Sequence, residues 1–192
     1  MIDPTATVRL PPLRDADLDD AQREAVAVIS SGPRGGVVGP FVPLLRSPEL
    51  MTRLQLVGAY LRFEADLDQD LLELTILVVA RHWDQQFEWG FHQPLAVAAG
   101  VPLEATEEVD RGVAPSIGRP ELRSVWQFVT ELLSAGEVGD DLYDTLLDAL
   151  GESALVELVA TVGYYTTLAL TMNVARTPPP AGAPLLRDRD GA

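Results

Sequence analysis

Residues 72–92 read LELTILVVARHWDQQFEWGFH. The first part of this stretch is apolar on nearly all sides, which is typical of a helix at the centre of a protein. We predict that this helix begins after Asp68. A second helix is expected to begin at Asp84 and to end at Gly100, because Asp is a favoured N-cap and Gly commonly follows the last helical turn. The stretch therefore predicts two short helices that can pack antiparallel.

Apolar residues recur at helical spacing on both sides of this stretch. Helices are expected from Asp15 to Ser30 and from Ser47 to Leu61, and later over residues 103–111, 121–133, 140–150 and 152–176. Residues 32–41 are rich in Gly and Pro and are interpreted as a loop, since no Gly-Lys-Ser/Thr element follows them. The sequence has no sustained period-two alternation with hairpin turn signals. We therefore predict an all-α fold in one domain with about eight helices.

The predicted helical domain covers residues 15–176 and has a different kind of segment at each end. Residues 1–14 include Pro4, Pro11 and Pro12 and are expected to form an extended arm that can pack on a neighbouring subunit. Residues 177–192 begin with a run of prolines and form a polar tail that need not be ordered.

Composition excludes several classes of function. A formal net charge of −15 would repel nucleic acid and anionic lipid, since affinity for either depends on Lys and Arg. The absence of cysteine excludes disulfides, thiolate metal sites and thiol redox chemistry. No run approaches the ~20 apolar residues that a membrane span needs. The first residues lack the pattern of a secretory signal, so a cytoplasmic location is expected.

The candidate chemistry lies on the two helices of the opening stretch. Glu73 sits in an almost wholly apolar helix, where a carboxylate needs a hydrogen-bonding partner. Gln85, Glu88 and His92 project from one face of the next helix. A histidine oriented by a carboxylate can exchange a proton with a substrate. The alternative is that Glu88 and His92 form an ordinary helical pair and Glu73 is a satisfied buried acid.

A metal ion or other cofactor is not expected at these residues. The sequence contains two histidines, His82 and His92, and they are ten residues apart. No paired His spacing on one helix is present to support a metal site. We therefore predict neither a metal nor an organic cofactor.

The order of residues in this stretch resembles the signature of the carboxymuconolactone decarboxylase family, within the alkylhydroperoxidase-D-like superfamily. The elements that carry the resemblance are an apolar helix opened by Glu73, an aromatic-Glu-Trp run and then His92. The alkylhydroperoxidase-D-like branch has Cys-x-x-Cys-x-x-x-His here, with a glutamate twelve residues before the first cysteine. In this chain Gln85 and Glu88 stand at the two cysteine positions, and Leu72 replaces an arginine that many members carry. The resemblance extends from about residue 41 to residue 174.

The resemblance implies a lyase that needs no cofactor and acts on a small carboxylated lactone or a related acid. It gives His92 the role of proton donor, oriented by Glu88 or Glu73. It places Gln85, Trp89 and Phe91 at the substrate. Isomerisation or cyclisation would need the same groups, and thiol peroxidase activity is excluded because both cysteines are absent.

Two further expectations follow from the resemblance. Family members assemble as trimers or as trimers of dimers, so a homo-oligomer, either a trimer or a hexamer, is predicted. A non-catalytic binding or scaffold protein on the same fold is the alternative to an enzyme. Arg53, Arg62 and Arg81 are candidates to pair with an acidic substrate, and the sequence singles out none of them.

Overall fold

The computed structural model describes residues 7–189, and all regular secondary structure in this range is helical. A short 3-10 helix at Asp15–Asp17 comes first. The α-helices are α1 (Asp20–Ser31), α2 (Phe41–Leu44), α3 (Pro48–Phe63), α4 (Gln69–His82), α5 (Gln86–Ala99), α6 (Leu103–Asp110), α7 (Pro120–Ala135) and α8 (Asp140–Ala175). The prediction of an all-α fold with about eight helices is confirmed.

Helix α4 lies at the centre of the molecule. Every residue from Leu71 to Ala80 is buried, because this helix is packed by α5, α6, α7 and α8. A helix that is apolar on all sides gains most from such a position, since each face then removes apolar surface from water. Helix α5 packs against α4, so the two halves of residues 72–92 face one another.

The turn between α4 and α5 differs from the sequence-based expectation. Gln85, and not Asp84, is the N-cap of α5: its side-chain oxygen accepts from the backbone N–H of Phe87 at 2.6 Å and of Glu88 at 3.3 Å. Asp84 has a left-handed backbone with φ of 50°. Its carboxylate points away from the helix end and pairs with Arg189 at 2.9 Å. The prediction that Asp84 caps this helix is therefore wrong.

Other helix ends differ by a few residues. Helix α1 begins at Asp20, where Asp19 and Gln22 form a capping box, and the expected start at Asp15 is instead the 3-10 turn. The division predicted between helices over 140–150 and 152–176 is present, because Gly151 has a non-helical backbone and kinks α8 into two helical parts there. Its φ of 78° is accessible to glycine, which explains why the helix direction changes there.

Both terminal segments pack on the chain itself where the structure describes them. The N–H of Arg9 donates to the carbonyl of Ala175 at 2.9 Å. In the tail, Leu186 is buried, and its N–H donates to Gln86 Oε1 at 2.9 Å. The described part of the tail therefore packs on the helical domain, although its composition does not require an ordered structure. Residues 1–6 of the predicted arm and 190–192 of the predicted tail lie outside the described range.

Helices long and apolar enough to cross a membrane are not found within residues 7–189.

Candidate functional site

A buried hydrogen bond joins the two helices of the central hairpin. His92 Nδ1 of α5 lies 2.7 Å from Glu73 Oε2 of α4, and the two residues are 6% and 4% exposed. A carboxylate only accepts hydrogen bonds, so the contact favours the tautomer with the proton on Nδ1. The other ring nitrogen, Nε2, is then free to take a proton from a molecule beside it. The ring of Tyr165 packs edge-on against the imidazole, with 5.3 Å between ring centroids.

Glu88 does not pair with His92. It is 2% exposed, and neither carboxyl oxygen has a hydrogen-bond partner within residues 7–189. Burial raises the pKa of Glu88 well above its ordinary value, because the interior penalises the charged form. The structure therefore favours a neutral carboxylic acid at position 88 and does not contain the simple helical pair of Glu88 and His92.

The pKa of His92 is lowered from its ordinary value. Burial is the main cause, and the positive charges of Arg62 and Arg34 lower the pKa further. The hydrogen bond and the charge of Glu73 act in the opposite direction and do not reverse the shift. The neutral imidazole is thus favoured near neutral pH.

A cavity of about 250 Å³ opens beside these residues. It lies among the loop before α2 and helices α2, α3, α5 and α8, and most of its wall is apolar. The polar side chains that line it are Arg34, Arg62, Glu88, His92 and Tyr165. Glu73 does not line the cavity and lies behind His92. No three His, Asp or Glu side chains in the described part of the chain are grouped closely enough to hold a metal ion.

The three residues that the resemblance places at the substrate lie in different surroundings in the structure. Phe91 lines the cavity and stacks on Phe87, with 6.1 Å between ring centroids. Gln85 is held by its cap contacts and by donation to Asn173 Oδ1 at 2.7 Å, and Trp89 is packed in the core with 3% exposure. Neither Gln85 nor Trp89 lines the cavity, because the Gln85 side chain is bonded to the start of α5 and to Asn173, and Trp89 is buried in the core.

The arginines of the cavity were only partly visible in the sequence. Arg62 was one of three candidates, whereas Arg53 is paired with Glu49 at the surface and Arg81 donates to the carbonyl of Arg187. Arg34 was missed. It sits in the Gly- and Pro-rich loop, where no periodic pattern indicates the direction of a side chain.

Comparison with known proteins shows a likeness in fold. No family model matches the chain, and no curated protein matches it. A solved structure that it resembles is the crystal structure of an alkylhydroperoxidase AhpD core, an uncharacterized peroxidase-related protein from Ralstonia eutropha JMP134. The TM-score is 0.74 at 15% sequence identity, and the match covers 92% of this chain and 94% of that chain. The chain therefore has the alkylhydroperoxidase-D-like helical fold.

Proposed function

We propose that this protein is a cofactor-independent acid–base enzyme that acts on a small carboxylated lactone or a related acid in the cavity beside His92. The observation that carries the proposal is the buried Glu73–His92 contact at 2.7 Å, behind a cavity that also exposes the unpartnered Glu88. Titratable groups that share a cavity and have strongly perturbed pKa values are typical of acid–base sites.

The directions of the pKa shifts support a division of roles. His92, favoured as the neutral imidazole, is the base, and Glu73 positions its ring and stabilises the imidazolium that forms. Glu88, favoured as the neutral acid, is the proton donor. These roles differ from those that the resemblance implies. There His92 is the proton donor, and Glu88 or Glu73 orients it.

These roles fit the reactions that the resemblance implies. In decarboxylation, the carbon–carbon bond to the carboxylate breaks and carbon dioxide leaves. The electron pair of that bond stays on the substrate and forms a dienolate conjugated with the lactone carbonyl. Glu88 then delivers a proton to that carbanion equivalent and is reprotonated from water. In isomerisation, His92 removes a proton from the carbon next to the carbonyl and Glu88 returns one to a conjugated carbon. Isomerisation therefore needs both the acid and the base of the cavity, whereas decarboxylation needs the acid, so isomerisation is the reaction that tests His92 as the base.

Thiol peroxidase activity is not part of the proposal, although the structural neighbour is described as peroxidase-related. Peroxide reduction by a Cys-x-x-Cys centre needs a thiolate and a second thiol that regenerates it. The chain has no cysteine. A binding protein that uses the same cavity without turnover is the second candidate, because an apolar cavity with a few convergent polar groups is also the form of a ligand site.

Turnover measurements on His92 variants test the proposal. Purified protein is assayed with 4-carboxymuconolactone and a panel of acidic lactones, following substrate loss and carbon dioxide release. We expect His92→Ala to lower kcat by ~10²–10⁴ with unchanged helical content, since that is the usual range for general acid–base catalysis. Glu73→Gln should move the acidic limb of the pH–rate profile to lower pH, because losing the negative charge lowers the pKa of His92 further.

His82→Ala is the matched control. His82 is half-buried at the end of α4 and lines a different cavity, so its removal should leave turnover unchanged. Isomerisation that survives His92→Ala would contradict the role of His92 as the base. Tight binding of panel members without turnover by the wild type would favour the binding protein.

We also propose that the protein is a cytoplasmic homo-oligomer, either a trimer or a hexamer. Helix α8 supports assembly because it carries an exposed apolar stripe: Val156 is 68%, Val159 44%, Leu170 41% and Val174 62% exposed. The residues follow helical spacing and so share one face. A second copy of the chain presents the same stripe and can cover it without placing two acidic surfaces in contact.

A further inference from the structure

Arg34 brings a positive charge into the cavity and has no counterion in the part of the chain that the structure describes. Its Nε and Nη2 atoms are inaccessible to solvent and have no hydrogen-bond partner within residues 7–189. Nη1 makes no hydrogen bond in that range either, and Arg34 lines the cavity. The guanidinium lies over the ring of Phe41, with 4.9 Å from Cζ to the ring centroid, which fixes its orientation. Two buried guanidinium nitrogens with no acceptor are costly, so an anion that accepts from them would stabilise the site.

The side chain of Arg34 lies in a pocket of unpartnered polar atoms beside α3. A Cβ at Gly58 would collide with both Arg34 Nη2 and Tyr164 Oη, so the absence of a side chain at Gly58 is what admits these two groups. Tyr164 Oη is buried and has no hydrogen-bond partner in the described part of the chain. Burial raises the pKa of Tyr164 to about 12, so its hydroxyl keeps its proton and does not supply the missing negative charge.

Arg62 adds a second cation to the same cavity. Its guanidinium stacks on Phe63 and Phe91, with 5.1 Å and 5.8 Å from Cζ to the ring centroids. Neither Arg62 nor Arg34 takes part in an ion pair within residues 7–189, although the chain has 29 acidic and 14 basic residues. The charge of Arg62 lowers the pKa of Arg34, which shows that the two cations repel one another. An anion between them would remove that repulsion.

We propose that Arg34 and Arg62 form a carboxylate-binding subsite and that the ligand is a small acid that places a carboxylate at these arginines and an apolar part against the rest of the cavity. The inference rests on the function proposed for this cavity and names the end of the substrate that these residues hold. Guanidinium groups form strong charge-assisted hydrogen bonds with carboxylates. Glu88, as a neutral acid, adds a donor. The apolar part of the wall, which includes Phe41, Phe87 and Leu168, fits an aliphatic or aromatic body.

Calorimetric titration with benzoate and its neutral analogue benzamide tests the subsite. Benzoate should bind the wild type at least about tenfold more tightly than benzamide, a ratio within the range of one charged hydrogen bond. Arg34→Met and Arg62→Met should each weaken benzoate by about tenfold or more and leave benzamide unchanged. Arg34→Lys, which keeps the charge, should recover part of the loss. Arg53→Met, at an exposed arginine on α3, is the matched control and should change neither affinity.

Several results would overturn the inference. They are equal affinity for benzoate and benzamide, unchanged benzoate binding by Arg34→Met with native circular dichroism, and inorganic phosphate binding as tightly as benzoate. Failure of benzoate, phenylacetate and crotonate to bind at millimolar concentration would also overturn it. Arginine-dependent benzoate binding without turnover of any lactone rejects the enzyme alone, whereas turnover with charge-insensitive binding rejects the subsite alone.

Discussion

Glu88 and His92 lie one turn apart on α5, yet burial acts on their protonation in opposite directions. It raises the pKa of the carboxyl group and lowers the pKa of the imidazole, so both groups are favoured in their neutral forms. An acid and a base can therefore share one cavity without neutralising each other. Glu73 makes this possible because it holds His92 from behind and leaves Glu88 unpaired.

The buried Glu88 also predicts a dependence of stability on pH. Its folded-state pKa is raised, so above the ordinary value of 4.5 the folded protein holds a proton that the unfolded chain has lost. Stability then falls as pH rises from that value toward the raised pKa, by up to about 1.4 kcal/mol per pH unit. Glu88→Gln removes this loss. We expect the unfolding free energy of Glu88→Gln, measured in urea, to increase relative to that of the wild type as the pH rises from 5 to 8.

Glu49→Gln is the control for this measurement. Glu49 is an exposed carboxylate on α3, with a side chain that is 79% accessible, so its removal should produce a small difference that varies little with pH. A constant difference between Glu88→Gln and the wild type across the same pH range would show that Glu88 is ionised in the folded protein.

At the scale of residues, the sequence shows that a buried polar side chain needs a hydrogen-bonding partner, but it does not identify that partner. Glu73 had to meet a polar group because its helix is apolar on all sides. The choice between Glu73 and Glu88 as the neighbour of His92 depends on the rotation of α5 against α4, which local spacing does not fix. Arg34 had no signal at all, since its position depends on a loop and on the space left by Gly58.

At the scale of elements, the turn between α4 and α5 sets that rotation. Gln85 caps α5 and donates to Asn173 of α8, and Asn173 Nδ2 in turn donates to the carbonyl of Trp83 at 2.9 Å. The turn is thus tied to the longest helix of the fold. Local sequence suggested Asp84 as the cap because Asp is a favoured N-cap residue, but the backbone direction of the turn, which sequence does not show, places Gln85 at that position.

Loss of this cap should destabilise the whole domain. We expect Gln85→Ala to lower the unfolding free energy by ~1–3 kcal/mol, because it removes the cap of α5 and leaves Asn173 Oδ1 without its donor. Urea denaturation measures the change. Gln127→Ala is the control: Gln127 is an exposed residue of α7 that bonds only Glu131, and its loss should stay within about 0.5 kcal/mol. A change at Gln85 as small as that of the control would contradict the role of the turn.

At the scale of the whole molecule, charge and apolar surface are unevenly distributed. The chain carries a net charge of −15, yet α8 has an apolar stripe at positions 156, 159, 170 and 174 with only small or hydroxyl residues exposed between them. The periodicity of α8 is readable from the sequence, but which face remains exposed is not. That depends on how α4 and α7 pack against the opposite face.

The proposed assembly gives the stripe a measurable role. Light scattering of the wild type at micromolar concentration should give three or six times the chain mass of 20.8 kDa. The double variant Val159→Glu, Leu170→Glu should shift the mass toward 20.8 kDa with unchanged helical content, because buried unpaired carboxylates oppose association while exposed ones do not disturb the monomer. Ile117→Glu, at an exposed apolar residue in the loop before α7, is the control and should leave the mass unchanged. A wild-type mass of 20.8 kDa, or a double variant that assembles like the wild type, would show that α8 is not where the chain associates with itself.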